Sequence, residues 1–101
     1  MSPRRYPTLT PSEVKKILQA RNFLRVNTRG SHAYYEATIN GKRRVVTVDE
    51  HVSQFDDFLL KSMIEQSGLS REEFYGSTKK TAKKIDVPYV GTPAPTSQES
   101  D

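Results

Sequence analysis

The segment RGSHAYY, residues 29–35, contains the side chain best suited to proton transfer in this sequence. His32 is one of only two histidines, and a histidine can accept or donate a proton near neutral pH without a metal ion. In a metal-independent ribonuclease, the proton that moves comes from the ribose 2′-hydroxyl that attacks the adjacent phosphate. His32 is therefore a candidate catalytic residue. The alternative is a structural or merely exposed position, which is the more frequent role of a lone strand histidine.

Small, aromatic and basic residues accompany His32 in the same part of the sequence. Negative charge that develops on an attacked phosphate is stabilised by nearby Arg or Lys side chains. Gly30 has no side chain and permits both a tight turn and close approach of an RNA backbone. Tyr34 can stack on a base or donate a hydrogen bond. The residues that we predict to contact RNA are Arg25, Arg29, Gly30, Ser31, Tyr34, Arg43 and Arg44.

Other catalytic and metal-binding patterns are absent from the sequence. There is no P-loop or GxG-type loop, and the chain has no cysteine. His32 and His51 alone do not form a metal-site spacing, and we expect Asp49 and Glu50 beside His51 to bind a cation weakly at most. We predict no metal and no cofactor. His51 is a candidate second acid/base group, with an ordinary loop residue as the alternative.

Charge is distributed unevenly along the chain. The formal net charge is +4. Residues 1–48 carry ten Lys or Arg against two acidic residues, whereas residues 49–76 carry seven acidic residues against two basic ones. A basic half of this kind is typical of a nucleic-acid-binding surface, and a solvated basic surface is the alternative.

Composition also constrains the size of the domain and its environment. The chain has 101 residues, of which 34% are hydrophobic and 28% charged, and this suits one domain with tails. The absence of cysteine fits a reducing cytosol. No apolar run approaches the ~18 residues of a membrane span, and MSPRRYPTLT lacks the apolar stretch of a signal peptide. We therefore expect a soluble, cytoplasmic protein with no membrane partner.

The segment LTPSEVKKILQARNF has the start signal of a helix. Thr10 can cap the first turn and Pro11 suits the first helical position, while Glu13 completes a capping box with Thr10. Apolar residues then recur at spacings of three and four along one face. These residues are Val14, Ile17 and Leu18. The pattern predicts about three turns that end near Ala20 or Arg21.

A β-hairpin is predicted over residues 31–48. SHAYYEATI alternates between two faces, and Asn40-Gly41 is the dipeptide favoured in a two-residue turn. KRRVVTV is the returning strand, and residues 23–28 are predicted to pair as a third strand.

Strand alternation also predicts which side chains share a face. The residues predicted on the face opposite His32 are Ala33, Tyr35, Ala37 and Ile39. By the same parity, Arg25 and Arg43 can share the face of His32, whereas Arg44 alternates with it. If helices cover the other face, His32 lies on the open side of the sheet or at its rim.

The second half of the chain predicts two further helices. DDFLLKSMIEQSG suits a helix that starts at Asp56 or Asp57 and stops at Gly68. LSREEFYG carries a second capping box, Ser70 with Glu73, and predicts a short final helix. The residues predicted to face the core here are Leu59, Leu60, Met63, Ile64, Leu69 and Phe74.

The order of these elements predicts an α+β fold with the arrangement α-β-β-β-α. Helices would pack on one face of a three-stranded antiparallel sheet, similar in outline to a double-stranded-RNA-binding domain. Residues 1–9 are predicted to form an N-terminal arm and residues 10–76 the domain. Residues 77–101 are Lys- and Pro-containing with few apolar side chains, and we predict a flexible tail.

One family combines these features in this order. The segment EVKKILQARNFLRVNTRGSHAYYEATINGKRRVVTV, followed by KSMIEQSGLSREEF, resembles the HicA family of toxins. The resemblance lies in an amphipathic first helix that ends in an NF or GF turn, a basic residue before Gly-Ser-His, a hairpin that leads to TV, and the segment GLSREEF. It covers about residues 10–75.

The resemblance implies a specific activity and two partners. HicA toxins belong to type II toxin–antitoxin systems and cleave mRNA without a metal, and a HicB antitoxin silences them. It implies that His32 is the catalytic residue, that mRNA is the substrate and that a HicB-like antitoxin is the protein partner. The chain departs from the family at SQFDDFLLKSM, which is more acidic and bulkier than the usual Lys/Gly-Thr-Leu segment.

Two other functions are compatible with the residues. The first is a non-catalytic RNA-binding module of the same fold, which would bind RNA in a salt-sensitive manner. The second is an interaction protein whose acidic residues 49–76 dock a partner, with the basic surface incidental.

Overall fold

The computed structural model describes residues 6–89 of the chain. Its elements, in order, are α1 (Pro11–Ala20), β1 (Leu24–Arg29), β2 (His32–Ile39), β3 (Lys42–Asp49), α2 (Asp57–Ser67), α3 (Arg71–Tyr75) and α4 (Lys79–Ala82). The strands form one antiparallel sheet in the order β1-β2-β3. The predicted α+β fold, with a helix before the three strands and helices after them, is confirmed.

Helix α1 begins and ends where its sequence signals predict. The Thr10 hydroxyl accepts a hydrogen bond from the Glu13 backbone N–H at 3.1 Å, and the Glu13 carboxylate accepts one from the Thr10 N–H at 2.9 Å. Pro11 occupies the first turn, where its missing N–H leaves no bond unmade. The predicted apolar stripe is fully buried, so α1 is fixed to the core by one face.

Two-residue turns join the three strands. Gly30-Ser31 connects β1 to β2, and Asn40-Gly41 connects β2 to β3. Positive φ angles occur at Gly30 (57°), Asn40 (52°) and Gly41 (81°), which tight hairpin turns require and which Gly and Asn tolerate best. The predicted hairpin and the predicted third strand are confirmed, and the β2–β3 pairing keeps one register along its whole length.

A β-bulge divides strand β1. Arg29 lies opposite His32 and Asn27 opposite Tyr34, but the register shifts between Arg25 and Asn27. Arg25 therefore lies opposite Tyr35, whose side chain points into the core. The expectation that Arg25 can share the face of His32 was wrong, because one extra residue in a strand reverses the alternation beyond it.

One face of the sheet packs on the helices and contributes to the core. Ala33, Tyr35, Val46 and Val48 are buried there with apolar residues of α1, α2 and α3. Within residues 6–89, no helix covers the opposite face, which carries His32. The predicted separation of a core face from an open face is confirmed.

Helix α2 has the predicted ends. The Asp56 side chain caps its start by accepting from the Leu59 backbone N–H at 3.0 Å, and Gly68 ends it in a left-handed conformation. Leu60, Met63 and Ile64 are buried, as predicted. Leu59 is 40% exposed, so its predicted core position is wrong. It lines a surface groove between α2 and β3 instead of the core.

The short helix that follows α2 also has its predicted cap. In α3 the Ser70 hydroxyl accepts from the Glu73 backbone N–H at 3.0 Å, and the Glu73 carboxylate accepts from the Ser70 N–H at 2.9 Å. Phe74 is fully buried and Leu69 packs against the core from a half-buried position, as their sequence pattern predicts.

The packed part of the chain extends beyond residues 10–76 at both ends. Leu9 is buried and pairs with Phe55. On the other side, Ser77, Thr81 and Ala82 are buried in or beside α4, although the predicted tail starts at residue 77. Thr81 stabilises this extension because its hydroxyl donates to the Tyr75 carbonyl. The rest of the predicted tail, residues 90–101, and residues 1–5 of the predicted arm lie outside the described residues.

The polar contacts of Tyr75 hold the start of the chain against the domain. Its hydroxyl donates a hydrogen bond to the Pro7 carbonyl at 2.7 Å. Burial raises the pKa of the Tyr75 phenol far above its usual range, so the hydroxyl keeps its proton as a donor. None of the helices in residues 6–89 has the length and apolar character to cross a bilayer.

Gly68 is required at the end of α2 for two reasons. Its φ of +77° strains any residue with a side chain, and an added Cβ would lie 2.6 Å from the Arg44 Nε atom. We expect Gly68→Ala to lower the free energy of unfolding by more than the roughly 1–2 kcal/mol of left-handed strain alone. Gly41→Ala is the matched control, because Gly41 has a similar φ of +81° but open space around it. Equal losses in urea denaturation would show that the Arg44 contact is unimportant.

Candidate active site

Three polar side chains form a row across the open face of the sheet. The register places Arg29 of β1 opposite His32 of β2, and His32 opposite Asp49 of β3. The His32 Nε2 atom lies 3.8 Å from the Asp49 Oδ2 atom, and the imidazole is half-exposed. The row therefore combines a cation, a proton-transfer group and a carboxylate at one end of the sheet.

Asp49 is held in place by two hydrogen bonds to its Oδ1 atom. The His51 backbone N–H donates one at 2.9 Å and the Ser31 hydroxyl donates the other at 3.1 Å. The His51 N–H is the largest influence that lowers the pKa of the Asp49 carboxyl, and the Ser31 hydroxyl and the charge of the nearby imidazoles lower it further. Asp49 is therefore a fixed anion at neutral pH, with its Oδ2 atom directed to His32.

Ser31 and Gly30 form the turn that carries the row. Gly30 supplies the positive φ of the turn, and an added Cβ would meet no atom within 4 Å. The space over Gly30 is open, so a ligand backbone can approach closely. Ser31 uses its hydroxyl to hold Asp49. Contact of either residue with RNA remains a prediction.

Arg29 is the one predicted RNA-binding arginine next to His32. Its side chain is exposed, and in the described part of the chain it has no ion pair or hydrogen bond with another residue. Tyr34 lies in the next row, between Asn27 and Thr47, and is half-buried on the same face. Arg29 and Tyr34 thus present a free guanidinium and an aromatic ring beside His32.

The other three predicted arginines do not converge on His32. Arg43 shares its face but lies opposite Thr38, six residues along β2 and so about 20 Å away. It makes two hydrogen bonds to the Glu36 carboxylate at 2.6 Å and 3.2 Å, and these bonds lower the pKa of Glu36 and raise that of Arg43.

Arg25 and Arg44 lie on the other side of the sheet. Arg25 bonds to the Glu50 carboxylate at 3.1 Å, which also pairs with Lys15 at 2.9 Å. Arg44 lies opposite Ala37 and packs against Gly68 at the end of α2, where a cation is favoured by the helix dipole. The expectation that Arg44 alternates with His32 is confirmed. Contact of Arg25, Arg43 or Arg44 with RNA stays a prediction, and none of the three lies beside His32.

His51 lies in the turn after β3. Its backbone N–H bonds to Asp49, and its exposed imidazole makes no hydrogen bond to another residue in the described ranges. A role as a second acid/base group remains a prediction. In residues 6–89, no three His, Asp or Glu side chains are grouped closely enough to hold a metal ion.

An open groove of about 230 Å³ borders the row on the β3 side. His32 and Asp49 form one wall, and α2 forms the other with Leu59 and Met63. At the far end of the groove, the Gln66 Oε1 atom accepts a hydrogen bond from the Thr47 backbone N–H at 3.1 Å. This bond ties α2 to the outer edge of β3 and keeps the groove open between them.

Sequence reasoning missed Asp49 as a site residue, although the signal was present. The two-residue turn at Asn40-Gly41 makes Ile39 and Lys42 the first pair of the hairpin. Counting seven residues away from the turn along each strand then pairs His32 with Asp49. The groove had no comparable signal. Its second wall comes from α2, whose position beside β3 depends on tertiary packing.

Fold and site together define a small α+β domain with a histidine–carboxylate pair and a free arginine on an open sheet face. Such a site can remove a proton from a hydroxyl group and stabilise negative charge on a phosphate. No protein-family model matches the chain, and no curated protein matches it.

The hydrogen bonds to Asp49 predict its titration. We expect NMR titration to give the Asp49 carboxyl a pKa below its ordinary value of 3.8. In Ser31→Ala we expect the pKa of the Asp49 carboxyl to rise only part of the way to 3.8, because the stronger hydrogen bond from the His51 N–H remains. Since the folded-state pKa is lowered, the charged carboxylate stabilises the fold above pH 3.8, and this contribution disappears as the pH falls through the folded-state pKa. A pKa at or above 3.8 in the wild type would contradict this geometry.

Proposed function

We propose that this protein is a metal-independent endoribonuclease similar to HicA toxins, in which His32 carries out proton transfer. The observation that carries the proposal is the row of Arg29, His32 and Asp49 on the open face of the sheet. The row offers a base for the 2′-hydroxyl, a carboxylate beside that base and a cation for the phosphate. The open face gives a single strand of RNA direct access.

In the first chemical step, the imidazole of His32 accepts the proton of the ribose 2′-hydroxyl. The 2′-oxygen attacks the adjacent phosphorus, the bond from phosphorus to the 5′-oxygen breaks, and a 2′,3′-cyclic phosphate remains. The departing 5′-oxygen takes a proton from water or from a second acid, for which Tyr34 and His51 are the candidate side chains. Protons and bonds balance without a metal ion.

Arg29 and Asp49 stabilise charges of opposite sign in this step, on the phosphate and on the imidazole respectively. The Arg29 guanidinium has no acidic partner in the described part of the chain, so it is free to bind the phosphate oxygens as negative charge develops on them. The Asp49 carboxylate lies 3.8 Å from the His32 Nε2 atom and stabilises the positive charge that the ring gains. A fixed carboxylate behind a histidine base has this role in hydrolases generally.

The sequence resemblance supports the same function and extends it. The Gly-Ser-His triplet, the hairpin and the segment GLSREEF follow the HicA order. On this basis the substrate is mRNA, the chain acts as the toxin of a type II toxin–antitoxin system in the cytoplasm, and a HicB-like antitoxin is its partner. The antitoxin would cover the open face, because an uncovered ribonuclease harms its own cell.

A non-catalytic RNA-binding module is the second candidate. The observation that favours it is that the row contains a single histidine, whose charged neighbour Asp49 has a lowered pKa and so carries no proton to donate to a leaving group. Such a protein would bind RNA through Arg29 and Tyr34 with strong salt dependence and would cleave none at any pH.

His32→Ala tests the catalytic assignment. We expect purified wild-type protein to cleave a labelled mRNA in the presence of EDTA, and the variant to lose cleavage while circular dichroism shows an unchanged fold. Thr38→Ala, an exposed substitution on the same face of β2, should retain full activity. Cleavage by the His32 variant at the wild-type rate would reject the assignment. Binding without cleavage by both proteins would favour the RNA-binding module.

Two arginine variants test which cation serves the phosphate. We expect Arg29→Gln to lower kcat/KM for RNA cleavage by about 10²-fold, the usual effect of removing one charge-stabilising donor. Arg43→Gln should leave kcat/KM nearly unchanged, because Arg43 is bonded to Glu36 at the far end of the sheet. Equal losses in the two variants would indicate a diffuse basic surface instead of a site at Arg29.

A further inference from the structure

The groove beside the catalytic row has no part in the proton transfer proposed above. It lies between β3 and α2 and continues from His32 and Asp49. We propose that this groove binds a nucleobase, that of the nucleotide whose 2′-hydroxyl attacks the phosphate. This inference rests on the proposed function, and it names the part of the substrate that the groove receives.

The apolar side of the groove suits the flat face of a base. Leu59 and Met63 of α2, with Phe55 before the helix, supply an apolar wall. Phe55 and Met63 are almost fully buried, whereas Leu59 remains 40% exposed at the mouth of the groove. Single-stranded RNA is usually recognised through unstacked bases that pack on apolar or aromatic side chains.

The polar side of the groove suits the edge of a base. Because the Gln66 Oε1 atom already accepts from the Thr47 N–H, the amide must present its two N–H donors elsewhere. The hydroxyls of Thr47 and Ser62 have no hydrogen bond to another residue in the described ranges, and the Asp49 Oδ2 atom is an unsaturated acceptor. A base edge carries donors and acceptors that match this set, and the negative Asp49 complements the amino groups of a base.

These free polar groups also argue against an apolar side chain of a protein partner as the occupant. Such a side chain would pack on Leu59 but would leave the Gln66 amide N–H groups and the Asp49 Oδ2 atom without hydrogen-bond partners. Burial of unpaired polar groups is unfavourable. A base can pack on the apolar side of the groove and form hydrogen bonds with its polar side at the same time.

The order of the row sets the orientation of the nucleotide. Arg29, His32 and Asp49 lie on three successive strands, so Arg29 and Asp49 are separated by about 10 Å of sheet. With the phosphate at Arg29, the attacking ribose lies over His32, and its base points past Asp49 into the groove. One nucleotide spans this distance.

Met63 offers a direct probe of the groove, because the chain has only two methionines, Met1 and Met63. With the methionine methyl groups labelled with ¹³C, the full-length protein would be titrated with each ribonucleoside 3′-monophosphate. We expect the Met63 methyl resonance to shift with at least one nucleotide. It should not shift with ribose 5-phosphate, which supplies sugar and phosphate without a base.

Two pairs of variants locate the contact. Leu59→Ala should weaken nucleotide binding and raise KM for RNA about tenfold. Phe58→Ala, a substitution at the neighbouring and more exposed apolar residue, should change neither nucleotide binding nor KM.

Gln66→Glu keeps the acceptor for the Thr47 N–H but removes the amide donors, and we expect it to weaken nucleotide binding and raise KM to a similar extent. Gln54→Glu adds the same charge at an exposed position that does not line the groove and serves as its control.

The groove and the proposed function can fail separately. If the protein cleaves RNA but no nucleotide shifts the Met63 methyl, the ribonuclease assignment stands and the groove does not bind a base. If nucleotides shift the methyl but no RNA is cleaved, the groove is a base-binding site of a protein that is not a nuclease. Groove variants that change neither nucleotide binding nor cleavage overturn the inference.

Discussion

The register of the sheet is the constraint on which the candidate site depends. Each of its two hairpins closes through two residues, and each turn contains a positive φ that Gly or Asn supplies. Turns of this length fix the pairing of the residues next to them, and in this register His32 meets Arg29 on one side and Asp49 on the other. A slip of one residue would turn every side chain of a strand to the opposite face. The arrangement of Arg29, His32 and Asp49 in one row therefore depends on turn geometry as much as on residue type.

Local signals allowed most of the fold to be predicted from the sequence. The capping boxes at Thr10 and Ser70, and the turn at Asn40-Gly41, act between residues close in sequence, so their effect is visible there. The bulge in β1 and the outward position of Leu59 depend on which elements pack together. Val26 is apolar and yet 55% exposed, because the bulge takes it out of the regular alternation. The residues next to such an exception in the sequence give no signal that predicts it.

The candidate site shows the same division. His32 and Arg29 could be identified from residue type and spacing, and Asp49 could have been found from the hairpin register. Of the four arginines predicted to contact RNA, Arg29 alone lies beside His32, because charge counted along the sequence takes no account of ion-pair partners. Glu36 and Glu50 neutralise two of these arginines, and no composition could show which carboxylate reaches which guanidinium. Within residues 6–89, the arginine beside the histidine is Arg29, and it has no acidic partner there.

The edges of the sheet have a consequence for the behaviour of the protein in solution. A sheet with one open face and two outer strands risks growing by addition of strands from other copies, which leads to aggregation. Gln66 occupies the Thr47 N–H on the outer side of β3, and the bulge interrupts the hydrogen-bonding pattern of β1. Each edge is thereby interrupted at one position as a template for a further strand. An open sheet face is therefore combined with edges that disfavour the addition of further strands.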